Sequence, residues 1–187
     1  YNLYLKFSKS WLGFTQVHFF GYDCTHQTYS ISEKRKKTLS EYPPPKTLKQ
    51  MQSFLGAALY SKSFVPNYST LAAPLNDMTK KDFAWSDSVW TPERLQAFGD
   101  FKTALQNSVA IYYPNYELPW LLRTDASQVG VGAALYQVHT ADVNAEPQYQ
   151  LISLASKKFS PQAMRWYTME QECYGLYFGV WINNYYL

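Results

Sequence analysis

The chain has 187 residues, 47% of them hydrophobic, and 17 Lys or Arg against 14 Asp or Glu give a net charge of +3. This length suits one or two domains, and this hydrophobic content excludes global disorder. No apolar run approaches the ~18 residues of a membrane helix and no secretory signal opens the chain, so we expect an intracellular protein, cytoplasmic or nuclear, without membrane insertion. Cys24 and Cys173 lie far apart without metal-type spacing, which predicts two ordinary thiols in a reducing compartment. Because the chain starts at Tyr1 rather than Met, we expect it to belong to something longer or processed.

The charge is unevenly distributed along the chain. Residues 1–60 carry eight Lys or Arg against three acids, whereas residues 61–187 carry nine against eleven. A basic first part followed by a mildly acidic one suits a protein that contacts phosphate groups and holds a metal at one end. The alternative is that the basic run at residues 34–37 only forms a solvated helix face.

The first third of the chain predicts strands and then a short helix. Apolar residues alternate in the stretches Leu3-Leu5-Phe7, Val17-Phe19 and Tyr29-Ile31, which is typical of strands. Residues 32–41 predict a charged helix, which the prolines at 43–45 stop.

The middle of the chain predicts amphipathic helices with recognisable caps. Thr47 with Gln50 three residues later forms a capping-box pattern, and we expect this helix to end at Pro66. A short helix follows near residues 69–78, and Thr91 before Pro92 opens another. The apolar stripes predicted to be buried are Leu48, Met51, Leu55 and Ala58 in the first helix, and Leu95, Phe98, Phe101, Ala104 and Leu105 in the last.

The last third predicts strands and a long helix. A boundary at residues 114–119 precedes an apolar run that ends at Asp125, a turn at 126–128, and a second strand in which apolar residues alternate with glycine or alanine. A polar loop at 139–147 leads to a third strand, and Ser160-Pro161 opens the final helix. The apolar stripe predicted to pack that helix is Trp166, Met169, Cys173, Leu176, Tyr177 and Val180.

Several short motifs resemble those of one protein family. Thr124-Asp125-Ala126-Ser127, followed by Gly130, Gly132, Ala133 and Leu135, resembles the start of the RNase H domain of gypsy-type LTR retrotransposons and retroviruses. Upstream, the stretch VHFFGY at 17–22 resembles the primer-grip hairpin of a reverse transcriptase, and residues 45–56, 64–68, 73–75 and 79–81 resemble its thumb. Downstream, ISLASKKFS at 152–160 and YTMEQE at 167–172 resemble the third strand and first helix of that RNase H. Six blocks in the right order cover nearly the whole chain.

The resemblance implies an α+β fold in two lobes that meet between about residues 108 and 119. A β-hairpin and a helical thumb form the first lobe. A truncated RNase H-like lobe, with three antiparallel strands and one long helix, forms the second. The implied domains are the end of the palm with its hairpin at 1–44, the thumb-like region at 45–112, and the partial RNase H-like domain at 113–187.

The implied chemistry is hydrolysis of a phosphodiester by two Mg²⁺ ions held between carboxylates. Asp125 is the first expected catalytic and metal-binding residue, and the final helix supplies the second. Helical periodicity does not choose between Glu170 and Glu172, but the family's glutamate directly precedes an apolar, small-residue segment, which favours Glu172 over the runner-up Glu170. The family's third aspartate follows this helix and no counterpart occurs here, Asp142 being a poor substitute; no Asp-Asp pair of a polymerase site occurs either. We therefore expect Mg²⁺ in the complete parent enzyme, none stably bound here, and an inactive isolated chain.

The expected nucleic-acid contacts lie in the first lobe. Phe19, Phe20 and Gly21 form the implied primer-grip tip, although two phenylalanines are more often buried than exposed. Lys46 and Lys49 near a helix start are placed to meet phosphates of an RNA/DNA hybrid or template–primer duplex. A binding module without catalysis, and a domesticated retroelement remnant that serves as a scaffold or subunit with protein partners, stay open as alternatives.

Overall fold

Two antiparallel sheets and five α-helices build the part of the chain that the structure, a computed structural model, describes: residues 4, 6–10, 12–86, 88–139 and 146–187. The sheets have four and three strands, and one long helix follows the second sheet. The predicted α+β class is therefore confirmed.

The first sheet gathers three consecutive strands and one short strand that returns from far along the chain. Its strands are β1 (Gln16–Phe19), β2 (Tyr22–Thr25), β3 (Thr28–Ile31) and β4 (Ile111–Tyr112). They are hydrogen-bonded in the order β1-β2-β3-β4, and β4 pairs through Tyr112 and Ile111 with Thr28 and Tyr29. The strands predicted at Val17-Phe19 and Tyr29-Ile31 are confirmed.

The strand predicted at Leu3-Leu5-Phe7 is wrong at the position that the structure describes. Phe7 begins a 3-10 turn, Phe7–Lys9, in which the Ser10 amide donates to the Phe7 carbonyl. Its side chain is 78% exposed, because the turn has no sheet to pack against. Leu3 and Leu5 lie outside the described residues.

Four helices complete the first lobe. They are α1 (Glu33–Ser40), α2 (Leu48–Leu59), α3 (Tyr68–Asp77) and α4 (Pro92–Gln106), and all except α3 begin with a side-chain cap. The Thr47 hydroxyl accepts from the Gln50 amide at 3.3 Å, and the Thr91 hydroxyl accepts from the Arg94 amide at 3.4 Å. Both predicted caps are confirmed, because each threonine satisfies an amide that the first helical turn leaves without a partner.

Helix α2 ends earlier than its pattern predicted. It stops at Leu59, and a separate 3-10 turn, Lys62–Phe64, lies between it and Pro66. The Ser61 amide donates to the Ala58 carbonyl at 2.8 Å, and Phe64 becomes buried beside the first sheet. The tightened turn thus redirects the chain before the proline is reached.

One large apolar cluster forms the core of the first lobe. Met51, Phe54 and Phe101 are fully buried at its centre. Two residues of the predicted stripes differ, since Leu48 and Leu95 are 38% and 44% exposed. The remaining buried members are Leu39, Ala58, Val65, Tyr68, Ala72, Leu75, Met78, Val89, Phe98 and Leu105.

The second lobe is a three-stranded antiparallel meander covered by one helix. Its elements are β5 (Trp120–Ala126), β6 (Gly130–His139), β7 (Gln148–Lys158) and α5 (Thr168–Ile182). Gln137 of β6 is fully buried and fastens the connection between the lobes, because its Oε1 accepts from the Asn115 amide at 2.8 Å. Its amide group donates in turn to the Asn115 carbonyl.

The final helix starts later than predicted. Ser160 caps only a 3-10 turn, Ala163–Arg165, after which Trp166 and Tyr167 are extended. The α-helix begins at Thr168, where the Glu170 carboxylate accepts from the Tyr167 amide at 2.8 Å. The prediction of a start at Pro161 is therefore wrong by seven residues, because a second, stronger cap follows the first.

The face that α5 buries is not the predicted apolar stripe. Gln171, Gly175, Phe178 and Gly179 are buried instead. A Cβ built on Gly179 would lie 2.6 Å from Thr124 Cγ2, so the helix approaches β5 as closely as a glycine permits. The stripe consequently faces outward, and its exposed large members are Trp166, Met169, Leu176, Tyr177 and Val180. None of the helices in the described ranges is long and apolar enough to cross a bilayer.

A small polar junction joins the two lobes. The Ser69 amide of α3 donates to Ser156 Oγ of β7 at 3.0 Å, and Ser69 Oγ donates to the Ser156 carbonyl at 2.7 Å. The two hydroxyls are also hydrogen-bonded to each other at 3.1 Å. Ser156 is only 8% exposed, so these bonds are shielded from water and fix the position of one lobe on the other.

The close contact at Gly179 predicts that alanine destabilises the protein at this position, although alanine usually stabilises a helix in place of glycine. Gly179→Ala should lower the free energy of unfolding of the 187-residue chain by about 1–3 kcal/mol, because the new methyl overlaps Thr124 and Leu122. Gly56→Ala and Gly99→Ala are the matched helical controls, since a Cβ at either would meet no atom within 4 Å. These controls should raise stability by about 0.4–1 kcal/mol. Denaturant unfolding measures all three, and equal stabilisation by all three would contradict this packing.

Candidate nucleic-acid interface and carboxylate site

The turn between β1 and β2 presents two aromatic rings to solvent. Phe19 and Phe20 are 60% and 74% exposed, and their ring centroids lie 4.4 Å apart. Phe20 has φ +48° and Gly21 has φ +83°. A phenylalanine in left-handed backbone is uncommon and strained, so the turn holds two apolar side chains outward at a cost in stability. The base-rate expectation of burial does not hold for these two residues.

Arg35 of α1 braces this turn against α2. Its Nη2 donates to the Ala57 carbonyl at 3.1 Å, and its guanidinium carbon lies 4.3 Å from the centroid of the Tyr60 ring. A Cβ on Gly21 would lie 3.1 Å from Arg35 Nη1, so the glycine allows the guanidinium to pass beneath the turn. The cation also lies at the C-terminal end of α2, where helix carbonyls favour positive charge.

Aromatic rings connect the contacts of Arg35 to the first sheet. Tyr22 stacks on Tyr60 with centroids 5.0 Å apart and planes 16° apart, and it packs against Phe64 at 5.4 Å. Burial raises the pKa of the Tyr22 phenol, its hydrogen bond to Tyr60 raises it further, and the Arg35 charge opposes both. Burial likewise raises the pKa of Tyr29. The hairpin is thus held through its base, while its tip stays free.

Lys46 and Lys49 lie at the start of α2 and are exposed. Neither ammonium forms an ion pair among the described residues. The Lys46 amide donates to Gln50 Oε1 at 2.7 Å, which orders the backbone there. Both lysines are therefore exposed to solvent on an ordered stretch of backbone.

Asp125 lies near the end of β5 and is exposed. Its neighbours Thr124 and Ala126 face α5, because both lie 4.0 Å from a Cβ built on Gly175. Strand alternation directs Asp125 to the opposite face. There it lines a cleft of about 190 Å³ between the lobes, together with Arg123 and with Pro66 and Asn67 of the first lobe.

The two glutamates of α5 differ in environment. Glu170 is exposed and its carboxylate is used at the helix start, where it accepts from the Tyr167 amide. Glu172 is half-buried and has no ion pair or side-chain hydrogen bond within the described part of the chain. The assignment of Glu172 as the second carboxylate stays a prediction.

The described residues do not assemble a two-metal site. No group of three or more His, Cys, Asp or Glu side chains among them is placed to hold a metal ion. Asp125 and Glu172 lie on strand and helix as the sequence predicts, but the contacts above do not direct both toward one point. Asp142 lies outside the described residues. A two-ion mechanism needs more oxygen ligands than this arrangement offers, so no catalytic step is derived from it.

The residues that brace the hairpin and join the lobes are not evident from sequence patterns. Arg35 lies within the basic run at 34–37, and its distinguishing signal is that it is the only arginine among lysines there. A planar guanidinium can stack on a ring and donate to a carbonyl together, which an ammonium does less well. Ser69 and Ser156 carried no signal, since 87 residues separate them.

The chain matches one family profile over more than half its length. The family is described as "RNase H-like domain found in reverse transcriptase", and the match covers residues 90–187. The matched segment contains β5 to β7 and α5, and it begins just before α4.

Similar full-length proteins are retroelement polyproteins. The Transposon Tf2-3, Tf2-4 and Tf2-5 polyproteins of Schizosaccharomyces pombe (strain 972 / ATCC 24843) are each 30% identical to the chain over 171 residues. The alignment covers 91% of this chain, which spans only 12% of the length of these curated relatives.

Similar solved structures are foamy viral protease-reverse transcriptases. One in complex with double-stranded DNA has a TM-score of 0.77 at 22% identity, over 95% of this chain and 35% of that one. Another, in complex with an RNA/DNA hybrid, has a TM-score of 0.74 at 21% identity, over 90% and 22%. These likenesses show the fold, and the family profile agrees with the motifs around Asp125. The chain belongs to the family of RNase H-like domains found in reverse transcriptases, and it represents a region of a retroelement polyprotein.

Proposed function

We propose that this region binds the RNA/DNA template–primer duplex of a gypsy-type reverse transcriptase, and that the isolated chain is catalytically incomplete. The proposed parts are the end of the palm with the primer-grip hairpin at 1–44, the thumb at 45–112, and the first part of the RNase H domain at 113–187. Mg²⁺ belongs to the nuclease site of the complete enzyme, with Asp125 and Glu172 as two of its ligands.

The exposed hairpin tip carries the proposal. Two large apolar side chains stand in solvent on a strained turn, while Arg35 and Tyr22 fix the base of the hairpin. Backbone strain of this kind persists only where the surroundings enforce it, and it clusters at functional sites. An outward aromatic pair on a rigid base suits contact with a nucleic-acid strand, because bases and sugars offer apolar faces.

The charge distribution and the relatives support the same reading. Lys46 and Lys49 are exposed, form no ion pair with another residue that the structure describes, and lie in the basic first part of the chain. The similar foamy viral enzymes are described in complex with double-stranded DNA or an RNA/DNA hybrid. Transfer of that partner to this chain is the proposal.

Charge reversal of the two lysines tests the thumb contact. Lys46→Glu with Lys49→Glu should weaken binding of an RNA/DNA hybrid and flatten the plot of log affinity against log salt by about two, one unit for each lost phosphate contact. Fluorescence anisotropy with a labelled hybrid at several salt concentrations measures both quantities.

The matched control changes the net charge equally at two positions outside α2. Lys81→Glu with Arg165→Glu reverses two exposed cations and should leave the slope nearly as it is. If the α2 variant binds as the parent does, or if the parent binds no hybrid at low salt, the proposal fails.

The hairpin tip predicts a separation of stability from binding. Phe20→Gly should raise the free energy of unfolding by about 1 kcal/mol, because glycine adopts positive φ without strain. The same change should weaken hybrid binding, since the ring is lost. Phe20→Trp is the control, because it keeps an aromatic ring and should keep the affinity. A Phe20→Gly variant that binds hybrid normally would remove the tip from the interface.

The isolated chain should show no polymerase activity and negligible RNase H activity with Mg²⁺ or Mn²⁺. Two carboxylates cannot clamp two metal ions and both reacting oxygens. The check is incubation of purified chain with a labelled hybrid, beside Asp125→Asn. Cleavage by the parent that Asp125→Asn abolishes would instead mean that a second copy supplies ligands.

The second candidate function is a non-catalytic scaffold or subunit in a larger protein assembly. The exposed side chains of α5 favour it, with Met169 77%, Leu176 59% and Tyr177 62% exposed. Contiguous apolar surface of this kind marks protein contact sites. Hybrid binding that falls steeply with salt separates the candidates, because an apolar protein contact lacks that dependence.

A further inference from the structure

A second basic surface lies in a cleft between the two lobes. The cleft has a volume of about 590 Å³, within the range of ligand sites. Lys62 contributes from the turn after α2, and Lys157 and Lys158 contribute from the end of β7. We call these three residues and the adjoining Trp181 the lysine cleft. It shares no residue with the hairpin tip or with Lys46 and Lys49.

Lysines outnumber carboxylates among the described residues that line the lysine cleft. Asp77 is the only carboxylate among the described residues that line it, and Lys80 already pairs with Asp77 at 2.8 Å. Lys62 and Lys158 form neither an ion pair nor a side-chain hydrogen bond in the described ranges. This cluster occurs although residues 61–187 carry two more acids than bases. The net charge of residues 61–187 therefore does not explain the group of lysines.

The third lysine is held in position by an aromatic residue. Lys157 Nζ donates to the Tyr174 hydroxyl at 2.6 Å and lies 5.4 Å from the centroid of the same ring. Lys157 Nζ is thus directed to Tyr174, which does not line the cleft, and strand alternation directs Lys158 to the opposite face. Lys62 and Lys158 are therefore the two cations that an anion in the cleft would meet.

One wall of the cleft is apolar and aromatic. Phe178, Trp181 and Ile182 of α5 line it, and Trp181 is 55% exposed. An indole that is open on one side can stack with a planar ring. Cations beside an exposed indole match the two parts of a nucleotide, its phosphate and its base.

The floor of the cleft is fixed. Ser69 and Ser156 line it, and they are the residues whose three hydrogen bonds join the lobes. The separation of the walls is therefore set by buried bonds, and Lys62 and Lys158 are presented from opposite lobes without a closing motion.

We propose that the lysine cleft is a nucleotide-binding site that takes the phosphate group between the lysines and the base against Trp181. Two sources share this chemistry, a single-stranded nucleic acid and a free nucleoside phosphate. The site goes beyond the duplex contact proposed above and is independent of it.

The test uses the 187-residue chain and three probes: a labelled 12-residue oligothymidylate, an abasic strand of the same length, and a nucleoside triphosphate as competitor. Lys62→Glu with Lys158→Glu should weaken oligothymidylate binding at least tenfold at low salt and flatten its salt slope by roughly 1.4, at about 0.7 for each single-strand phosphate contact. Trp181→Ala should weaken oligothymidylate binding roughly five- to hundredfold and leave the abasic strand nearly unaffected. Trp181→Phe should restore most of the lost affinity.

The controls separate this site from the duplex contact. Lys81→Glu with Arg165→Glu should bind all probes as the parent does, and Lys46→Glu with Lys49→Glu should lose hybrid but keep oligothymidylate. Competition by the triphosphate at the affinity of the strand identifies a free nucleotide as the source, whereas much weaker competition identifies the strand. Near-ultraviolet circular dichroism confirms that each variant is folded. The proposal is overturned if the folded cleft variant binds oligothymidylate like the Lys81/Arg165 control, or if the parent binds neither probe.

Discussion

The hydrogen bonds between Ser69 and Ser156 make the two lobes one body. They are short, shielded and reciprocal, and they connect α3 of the first lobe to β7, an edge strand of the second sheet. The lobes differ greatly in core size, with thirteen buried residues in the main cluster of the first and five in that of the second. A three-stranded sheet with a single helix buries little apolar surface, so the second lobe gains stability from its attachment to the first. The cleft beside Asp125 and the lysine cleft are both shaped by this junction.

Local chemistry made part of the fold predictable. Thr47 and Thr91 predict the starts of their helices because each hydroxyl accepts a hydrogen bond from the backbone amide three residues later. This bond forms within one helical turn and does not depend on the rest of the chain. The strands around Asp125 are predictable because the alternation of apolar residues is also a local pattern.

The face of α5 that is buried was not predictable from a local pattern. Hydropathy places its apolar stripe inward, but Gly175 and Gly179 allow the nearest approach to β5, and this volume constraint decides the buried face.

Some residues of the candidate sites were also predictable from local sequence, and others were not. Lys46 and Lys49 are exposed, as a contact with phosphate requires. Phe19 and Phe20 are exposed too, although base rates favour burial of a phenylalanine. The contacts of Arg35 and the lysine cleft involve residues that are distant in sequence. No hydrophobic period or short motif predicts such long-range contacts. Asp125 was predicted at a strand end, but strand alternation and the cleft at Pro66 and Asn67 decide where its carboxylate points. A metal site requires carboxylates that converge on one point in space, and spacing along the sequence does not determine whether they do.

The outward face of α5 has a further consequence for how this protein associates. Residues 173–187 contain no Asp, Glu, Lys, Arg or His, so this part of the surface has no acidic or basic side chain whose charge salt could screen. Any contact it makes is driven by apolar burial, which weakens on cooling and strengthens in sulfate. The proposed nucleic-acid contacts through the basic residues would respond in the opposite sense to added salt. The chain would then combine two modes of association that temperature and ionic strength control separately, with low salt in the cold favouring nucleic acid and high salt in the warm favouring protein.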